Sequence, residues 1–247
     1  MVLYTGSEGE WKMKIIAHRN ETPGCPENSI ASLEYSAQEG IYAVECDVRR
    51  TGDGQYVIYH DERTGRLAGD DRLIAEISLD EMRAVLAAAG REVITLDQLT
   101  EGYRKDTPIL LHVKERTAWP DLVEKFEKAK DMLILGVESI EMLRAVRGFM
   151  PKDRLLAFMP VKEMYPEFIR EGIGIIRLWE QWLTEITPDM VHAAGAEQVW
   201  IMCWTKEKGM DGTPESLDKL IGMNADGALI SDVKMAMDWM RSGAVQG

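Results

Sequence analysis

Short runs of aliphatic and β-branched residues alternate with longer amphipathic stretches along most of the chain. Eight of the apolar runs have the length of buried strands, and a stretch with helical periodicity follows each of them. This alternation is typical of repeated βα units on a parallel sheet. The predicted strands span residues 14–18, 42–48, 109–113, 132–136, 155–158, 174–178, 198–203 and 227–231.

Local signals at the helix starts support this interpretation. A threonine precedes a proline at 187–188 and again at 213–214, which places a capping hydroxyl before a proline at the first helical position. Eight βα units favour a closed (β/α)8 TIM barrel over an open doubly wound sheet, which usually carries a glycine-rich phosphate loop. No GxGxxG or P-loop pattern occurs in the sequence. The predicted helices span residues 29–39, 96–103, 119–130, 139–149, 162–171, 188–194, 214–222 and 233–240.

One irregularity interrupts the repeat after the second predicted strand. Residues 51–54, Thr-Gly-Asp-Gly, form a tight-turn signal, and the alternating run 55–60 follows, so we expect a hairpin extension. A polar stretch and the helical run 81–89 then lead to the next barrel helix. Because the insert 51–95 is too short to bury a core of its own, we expect it on the catalytic face of a single domain spanning 1–247.

Composition and charge narrow the functional classes. The 247 residues are 45% hydrophobic and 29% charged, which excludes a disordered or fibrous chain. A formal net charge of -13 repels polyanions, so nucleic acid is not expected as a partner. No apolar run approaches the roughly 20 residues of a membrane-spanning helix. The first residues lack the pattern of a secretory signal, so we expect a cytoplasmic protein. The oligomeric state stays open.

Polar residues stand where the predicted strands end, and in such a barrel the carboxyl ends of the strands build the active site. The first strand ends in His18 and Arg19. In the second, Glu45 and Asp47 are two positions apart and share one face. A divalent cation would offset their mutual repulsion and lost hydration. The hairpin run ends in His60.

The third predicted strand carries His112 and Lys114 on one face by the same alternation. The strand ends therefore offer three histidines, two carboxylates and two fixed cations. Acid/base groups, a metal site and cations for an anion together predict phosphoryl or phosphodiester chemistry.

These residues belong to a longer ordered pattern. The run AHRNETPGCPENSIASLEYSAQEGIYAVECDVRRTGDGQYVIYHD resembles the glycerophosphodiester phosphodiesterase family, in which HRG, PENT, ExDV, TxDG and HD follow in this order. The agreement continues at VITLDQL, HVKE, MCWT and NADGALISD, so the resemblance covers nearly the whole chain. It implies a metal-dependent barrel that hydrolyses a small-molecule glycerophosphodiester to glycerol 3-phosphate and an alcohol, with sphingomyelinase D-like enzymes as relatives.

The resemblance also implies a role for seven residues. His18 and His60 would be the acid/base pair, Glu45 and Asp47 would hold Mg2+ or Ca2+, Arg19 and Lys114 would bind the phosphate oxygens, and Trp204 would pack against the substrate.

The chain departs from the family pattern at two positions. Asn20 stands where the family has glycine, and asparagine tolerates a left-handed backbone better than most residues. His112 stands where the family has its third acidic metal ligand. An imidazole ligand there favours Mn2+, Fe2+ or Zn2+ more than an all-oxygen site does. Glu27 and Asn28 are expected to brace the His18 loop by hydrogen bonds.

Three functions remain open on the sequence. The first is a phosphodiester hydrolase, and the second is a lyase-like enzyme in which a substrate hydroxyl attacks phosphorus and a cyclic phosphate is released. The third is a barrel that binds phosphodiesters but lost efficient catalysis when the third acid became His112. The intact histidines and the two remaining carboxylates favour hydrolysis.

Overall fold

The computed structural model describes residues 13–19, 25–203 and 213–242. Within these ranges, strands and helices alternate as the hydrophobic pattern predicts. The strands are β1 Lys14–Ala17, β2 Ala43–Arg50, β3 Tyr56–Ile58, β4 Ile109–Val113, β5 Leu133–Val137, β6 Leu155–Ala157, β7 Ile175–Trp179, β8 Gln198–Met202 and β9 Gly227–Ile230. The helices are α1 Ile30–Gln38, α2 Gly65–Ala68, α3 Leu79–Ala88, α4 Leu96–Gly102, α5 Pro120–Ala129, α6 Ile140–Val146, α7 Tyr165–Arg170, α8 Pro188–Ala193, α9 Pro214–Gly222 and α10 Val233–Arg241.

Eight of these strands form a closed parallel barrel. Their order is β1, β9, β8, β7, β6, β5, β4, β2, and β1 pairs with β2 to close the circle. Every neighbouring pair in this circle is parallel. The predicted (β/α)8 TIM barrel is therefore confirmed.

The remaining strand, β3, forms the predicted hairpin with β2. β2 extends to Arg50, beyond the predicted end at residue 48, because its last residues pair antiparallel with β3. Val48 lies opposite Ile58, and Arg50 lies opposite Tyr56. Gly54 has φ +82°, which a glycine adopts in this tight turn without strain.

Some helix boundaries differ from the prediction. The helix predicted over 81–89 begins at Leu79, because Ser78 caps it and Glu81 completes a reciprocal capping box. The helix predicted over 162–171 is shorter, since its first residues form a 3-10 turn.

The core has two layers, one between the strands and the surrounding helices and one inside the barrel. The inner layer fills the barrel with apolar side chains, and polar side chains follow on the same inward faces toward the carboxyl ends of the strands. The fully buried inner residues include Ile16, Ala43, Leu110, Leu156, Ile175, Trp200 and Leu229.

The segment after β2 adds a smaller hydrophobic cluster. Val57 and Tyr59 of the hairpin pack with Ile74, Met82 and Leu86, all of them buried. This cluster holds the segment to the hairpin whose last residues approach the barrel mouth. Among the described residues, no helix has the length and apolar character needed to span a membrane.

Candidate active site

β2 places two carboxylates inside the barrel. Glu45 is 1% exposed and Asp47 is 0% exposed. Cys46, between them, packs into the outer layer of the core, as the alternation along a strand requires. The thiol therefore faces away from the carboxylates.

β4 brings a histidine and a lysine against Asp47. The parallel register sets Asp47 opposite His112. The Lys114 ammonium lies 3.1 Å from Asp47 Oδ1, and His112 Nδ1 lies 3.2 Å from the same oxygen. One ligand atom from each of Glu45, Asp47 and His112 lies within 4.8 Å of the other two. A single cation can contact three atoms at this spacing.

The loop after β1 covers the carboxylates. Arg19 has φ +57°, and its backbone N–H donates to Glu45 Oε2 at 3.0 Å. Asn28 has φ +58°, and its N–H donates to the Arg19 carbonyl at 3.3 Å. The Asn28 side-chain oxygen accepts the Asp47 N–H at 3.4 Å. Two non-glycine residues in left-handed backbone are thus held by hydrogen bonds to β2.

His60, two residues after β3, is held at both ring nitrogens. Its Nε2 lies 2.5 Å from Arg19 Nη2, and its Nδ1 lies 2.6 Å from Asp61 Oδ1. Because a guanidinium only donates, Nε2 accepts from Arg19 and Nδ1–H donates to Asp61. Arg66 donates in turn to Asp61 and to Glu27. This chain of contacts fixes both the tautomer and the orientation of the His60 ring.

The two buried carboxylates have opposite ionisation behaviour. Burial, followed by the charge of Asp47, raises the pKa of Glu45 to about 8. Burial also acts to raise the pKa of Asp47, but Lys114 and His112 outweigh it and hold that pKa well below its ordinary value. Without a metal, Glu45 therefore holds a proton at neutral pH while Asp47 is ionised. Cation binding at this site would release the Glu45 proton.

His18 and His60 are both neutral at pH 7. Removal from water, followed by the charge of Arg19, lowers the pKa of His18 to about 3. Burial also lowers the pKa of His60, although Asp47 acts in the opposite direction. A neutral imidazole is the form that accepts a proton in acid/base catalysis.

The donor set of this site fits a divalent cation. Both oxygens of Asp47 are enclosed, and neither has a hydrogen-bond partner of good geometry within the described ranges. A buried carboxylate with unused lone pairs is unfavourable, and a cation would satisfy it. Glu45 and His112 supply the two further ligands. Two carboxylates and one imidazole suit a borderline divalent ion as well as a hard one.

β5 contributes a carboxylate that the sequence analysis missed. Glu138, directly after β5, has Oε1 3.0 Å from His112 Nε2. When Nε2–H donates to this carboxylate, Nδ1 keeps its lone pair on the side of Asp47. The Phe158 ring stacks on the imidazole with centroids 3.6 Å apart. Gly136 leaves room for this ring, since a Cβ there would lie 2.3 Å from it. The sequence did contain a signal for Glu138, because it is an acidic residue placed two positions after a predicted buried strand.

β7 contributes a second residue that the sequence analysis missed. Arg177 is 2% exposed and follows the inward-facing Ile175 by two positions, so it also faces the barrel interior. The sequence signal for Arg177 was a single charged residue within an otherwise apolar predicted strand. Such a residue indicates a functional role, because a buried charge is costly without a partner.

Two residues named from the sequence, Asn20 and Trp204, lie outside the described residues. Asn28 braces the His18 loop as expected, whereas Glu27 bonds to Arg66 instead. The remaining candidates come together in one cluster linked by contacts and charge: His18, Arg19, Glu45, Asp47, His60, His112 and Lys114.

Comparison with known proteins places this cluster in a family context. The family model for the glycerophosphoryl diester phosphodiesterase family matches residues 18–152, more than half of the chain. A glycerophosphodiester phosphodiesterase from Caldanaerobacter subterraneus subsp. tengcongensis is 24% identical, over 94% of this chain and 99% of the relative. The uncharacterized protein YqiK of Bacillus subtilis is 29% identical, over 87% of this chain and 93% of the relative.

Solved structures share the fold. A glycerophosphodiester phosphodiesterase from Parabacteroides distasonis superposes with a TM-score of 0.75 at 21% identity, covering 96% of this chain and 100% of that one. An Oleispira antarctica phosphodiesterase, crystallised with the product sn-glycerol-3-phosphate, has a TM-score of 0.66 at 22% identity and covers 92% and 96% of the two chains. The matched range contains all seven clustered residues, and this chain belongs to the glycerophosphoryl diester phosphodiesterase family.

Proposed function

We propose that this chain hydrolyses glycerophosphodiesters to glycerol 3-phosphate and an alcohol, using a divalent metal ion held by Glu45, Asp47 and His112. Membership of the family makes it a phosphoric diester hydrolase. One observation carries the proposal for the site. Three buried ligand atoms within 4.8 Å of one another lie in the same cluster as two neutral histidines.

The metal site would stabilise negative charge on the phosphate as the transition state forms. The imidazole of His112 replaces a third carboxylate, so we expect Mn2+, Fe2+ or Zn2+ to compete with Mg2+ and Ca2+ more strongly than at an all-oxygen site. Glu138 supports this role for His112, because a carboxylate that accepts from one ring nitrogen makes the other a better ligand.

Arg19 and Lys114 would bind the phosphate oxygens. The Arg19 guanidinium donates to His60 Nε2 in the free protein. A bound phosphate would attract the same guanidinium and leave the Nε2 lone pair of His60 free for proton transfer. The two recognition steps, phosphate binding and freeing of the base, would therefore be coupled.

His18 and His60 would share the proton transfers, one activating the nucleophile and the other protonating the leaving alkoxide. Since both are neutral in the free protein, the histidine that protonates the alkoxide would first take up a proton from solvent. Asp61 accepts from His60 Nδ1 and would stabilise the imidazolium when Nε2 gains a proton. His60 is therefore the histidine better able to hold a second proton. Trp204 would pack against the substrate.

We also propose that residues 1–247 act as one domain with the insert 51–95 on the catalytic face. The contact between His60 and Arg19 supports this placement, because it links the end of the hairpin to the loop after β1. The substrate class points to lipid metabolism, and a cytoplasmic location remains a prediction from the sequence.

The deciding experiment is turnover of glycerophosphocholine and glycerophosphoethanolamine by metal-stripped protein with Mg2+, Ca2+, Mn2+ or Zn2+ added back separately. We expect metal-dependent release of glycerol 3-phosphate, measured by a coupled enzyme assay. Phosphorus NMR of the products separates hydrolysis from release of a cyclic phosphate. Folded protein that binds a metal and turns over no diester would contradict the proposal and favour a binding role.

A further inference from the structure

Arg177 lies across the barrel from the candidate metal ligands. β7, which carries it, is four strands from β2 in either direction around the closed circle of eight. Arg177 therefore faces Glu45 across the barrel interior. Burial lowers the pKa of Arg177 to about 9, while the charges of Glu138 and Glu45 act to raise it. The guanidinium thus carries its charge at pH 7 and faces the same space as the site.

Aromatic rings surround this guanidinium. Its central carbon lies 4.3 Å from the Trp179 ring centroid, 5.0 Å from that of Phe158 and 5.6 Å from that of Trp182. We call Phe158, Arg177, Trp179 and Trp182 the aromatic wall, and Glu45, Asp47, His112 and Lys114 the acidic wall. Ring faces attract the cation, but they leave its N–H groups without conventional acceptors.

Two of the three guanidinium nitrogens of Arg177 lack a hydrogen-bond partner among the described residues. Its Nε and Nη1 are fully enclosed and have no hydrogen-bond partner within the described ranges. The residue as a whole is 2% exposed. Buried N–H donors without acceptors are unfavourable. An anion that enters the barrel mouth would supply the missing acceptors.

The phosphate of a diester already has cations on the other side of the site. Arg19 and Lys114 follow the ends of β1 and β4, the two neighbours of β2 in the barrel, and both contact its carboxylates. Arg177 on the opposite wall is therefore left for a different group of the substrate. A planar carboxylate matches the planar donor fork of a guanidinium and carries the one charge that Arg177 needs.

We propose that Arg177 binds a carboxylate on the alcohol portion of the substrate, so that this chain prefers glycerophosphodiesters of carboxylate-bearing alcohols. The inference rests on the proposed function for the identity of the diester. It assigns the aromatic wall to recognition of the alcohol and the acidic wall to the phosphate.

The test uses two substrates that differ only in a carboxylate, glycerophosphoserine and glycerophosphoethanolamine. We expect wild-type kcat/KM to favour the serine diester by about tenfold or more, the size of one charge-assisted hydrogen-bonded contact. In Arg177→Met the ratio falls to about one. The ratio within one variant cancels any general effect of the substitution on catalysis.

Two further variants serve as controls. Arg116→Met removes a guanidinium that lies near Glu138 but is 65% exposed, and we expect it to keep the wild-type ratio. Arg177→Lys keeps the charge but loses the fork, and we expect an intermediate ratio. This lysine variant also tests the proposal if the methionine variant does not fold. Thermal unfolding reports whether each variant is folded.

Binding measured by titration calorimetry distinguishes failure of this inference from failure of the proposed function. Turnover of both diesters at equal rates by the wild type, or equal losses for both in Arg177→Met, would overturn the carboxylate assignment and leave the hydrolase intact. No turnover, with tighter binding of the serine diester that Arg177→Met abolishes, would support the assignment and contradict the hydrolase. Equal binding without turnover would overturn both.

Discussion

The acidic wall and the aromatic wall use the same backbone geometry and differ in how their charges are satisfied. On the acidic wall, the Lys114 ammonium lies 3.1 Å from Asp47 Oδ1 and offsets its charge, while neither oxygen of Asp47 has a hydrogen-bond partner of good geometry among the described residues. On the aromatic wall, Arg177 has ring faces around it, and two of its enclosed nitrogens have no acceptor within the part of the chain that the structure describes. A buried carboxylate with open lone pairs can hold a metal ion. Buried guanidinium donors can instead hold an anion, which is the role proposed above for Arg177.

The largest expected effect on activity comes from replacing Asp47 of the acidic wall. Asp47→Asn removes the ionised carboxylate that anchors the metal, and we expect kcat/KM to fall by at least about a thousandfold. Calorimetry with Mn2+ should show loss of metal binding in the folded variant. Cys46→Ala changes the adjacent position on the opposite face of β2 and should retain activity. Near wild-type turnover in Asp47→Asn would show that the acidic wall does not hold a metal ion needed for catalysis.

A smaller loss is expected at His60. His60→Ala should lower kcat by about 10²–10⁴-fold, the usual contribution of a general acid or base. Metal affinity should change little, because His60 is not among the clustered ligand atoms. His192→Ala is the matched control, since that histidine lies on α8 and pairs with Asp226 at 3.1 Å. If His60→Ala also lost metal binding, the loss of activity would reflect a role of His60 in holding the metal site and not a role in proton transfer.

Glu138 stands between the two walls and should have an intermediate effect. Glu138→Gln weakens the acceptor for His112 Nε2, so we expect metal affinity to fall by about ten- to a hundredfold. Calorimetry with Zn2+ and Mg2+ measures it, and the loss should be larger for Zn2+, which depends more on the imidazole. Glu141→Gln, at a carboxylate that accepts the Ala118 N–H, should leave affinity unchanged. Equal losses for both ions would indicate that Glu138 is itself a ligand.

The smallest expected effect is on stability. The pKa of Glu45 rises to about 8 on folding, so between pH 6.5 and 8 the folded protein binds more protons than the unfolded chain. The free energy of unfolding of metal-free protein should therefore fall as pH rises, by up to about 1.4 kcal/mol per pH unit. The lowered pKa of His18 acts only below its unfolded value of 6.5, outside this window. Urea unfolding at pH 6.5 and 8 measures the slope, which Glu45→Gln should remove.

The sequence predicted the acidic wall better than the aromatic wall for a physical reason. Glu45 and Asp47 are paired polar residues in one apolar strand, and His112 and Lys114 repeat that alternation, so parity along each strand identified them. Arg177 is a single residue, and its importance comes from two enclosed nitrogens that find no acceptor in the described ranges. That absence is a property of three-dimensional packing.

Other features also depended on the fold. Glu138 matters because the parallel register of β4 and β5 brings its carboxylate to His112, a distance that strand parity does not give. The partner of Glu27 depended on the path of the polar stretch that carries Arg66. The barrel itself was predictable because eight βα units repeat one local pattern, so an error at any single boundary left the topology unchanged.

The contacts from Glu27 through Arg66 and Asp61 to His60 have a consequence for exchanging parts between related barrels. The orientation of a histidine supplied by the insert depends on a residue located before α1, outside the insert. A chimera that receives residues 51–95 from a relative would carry the histidine without its matched support. The insert and the loop after β1 must therefore be transplanted, and are expected to vary, as one unit.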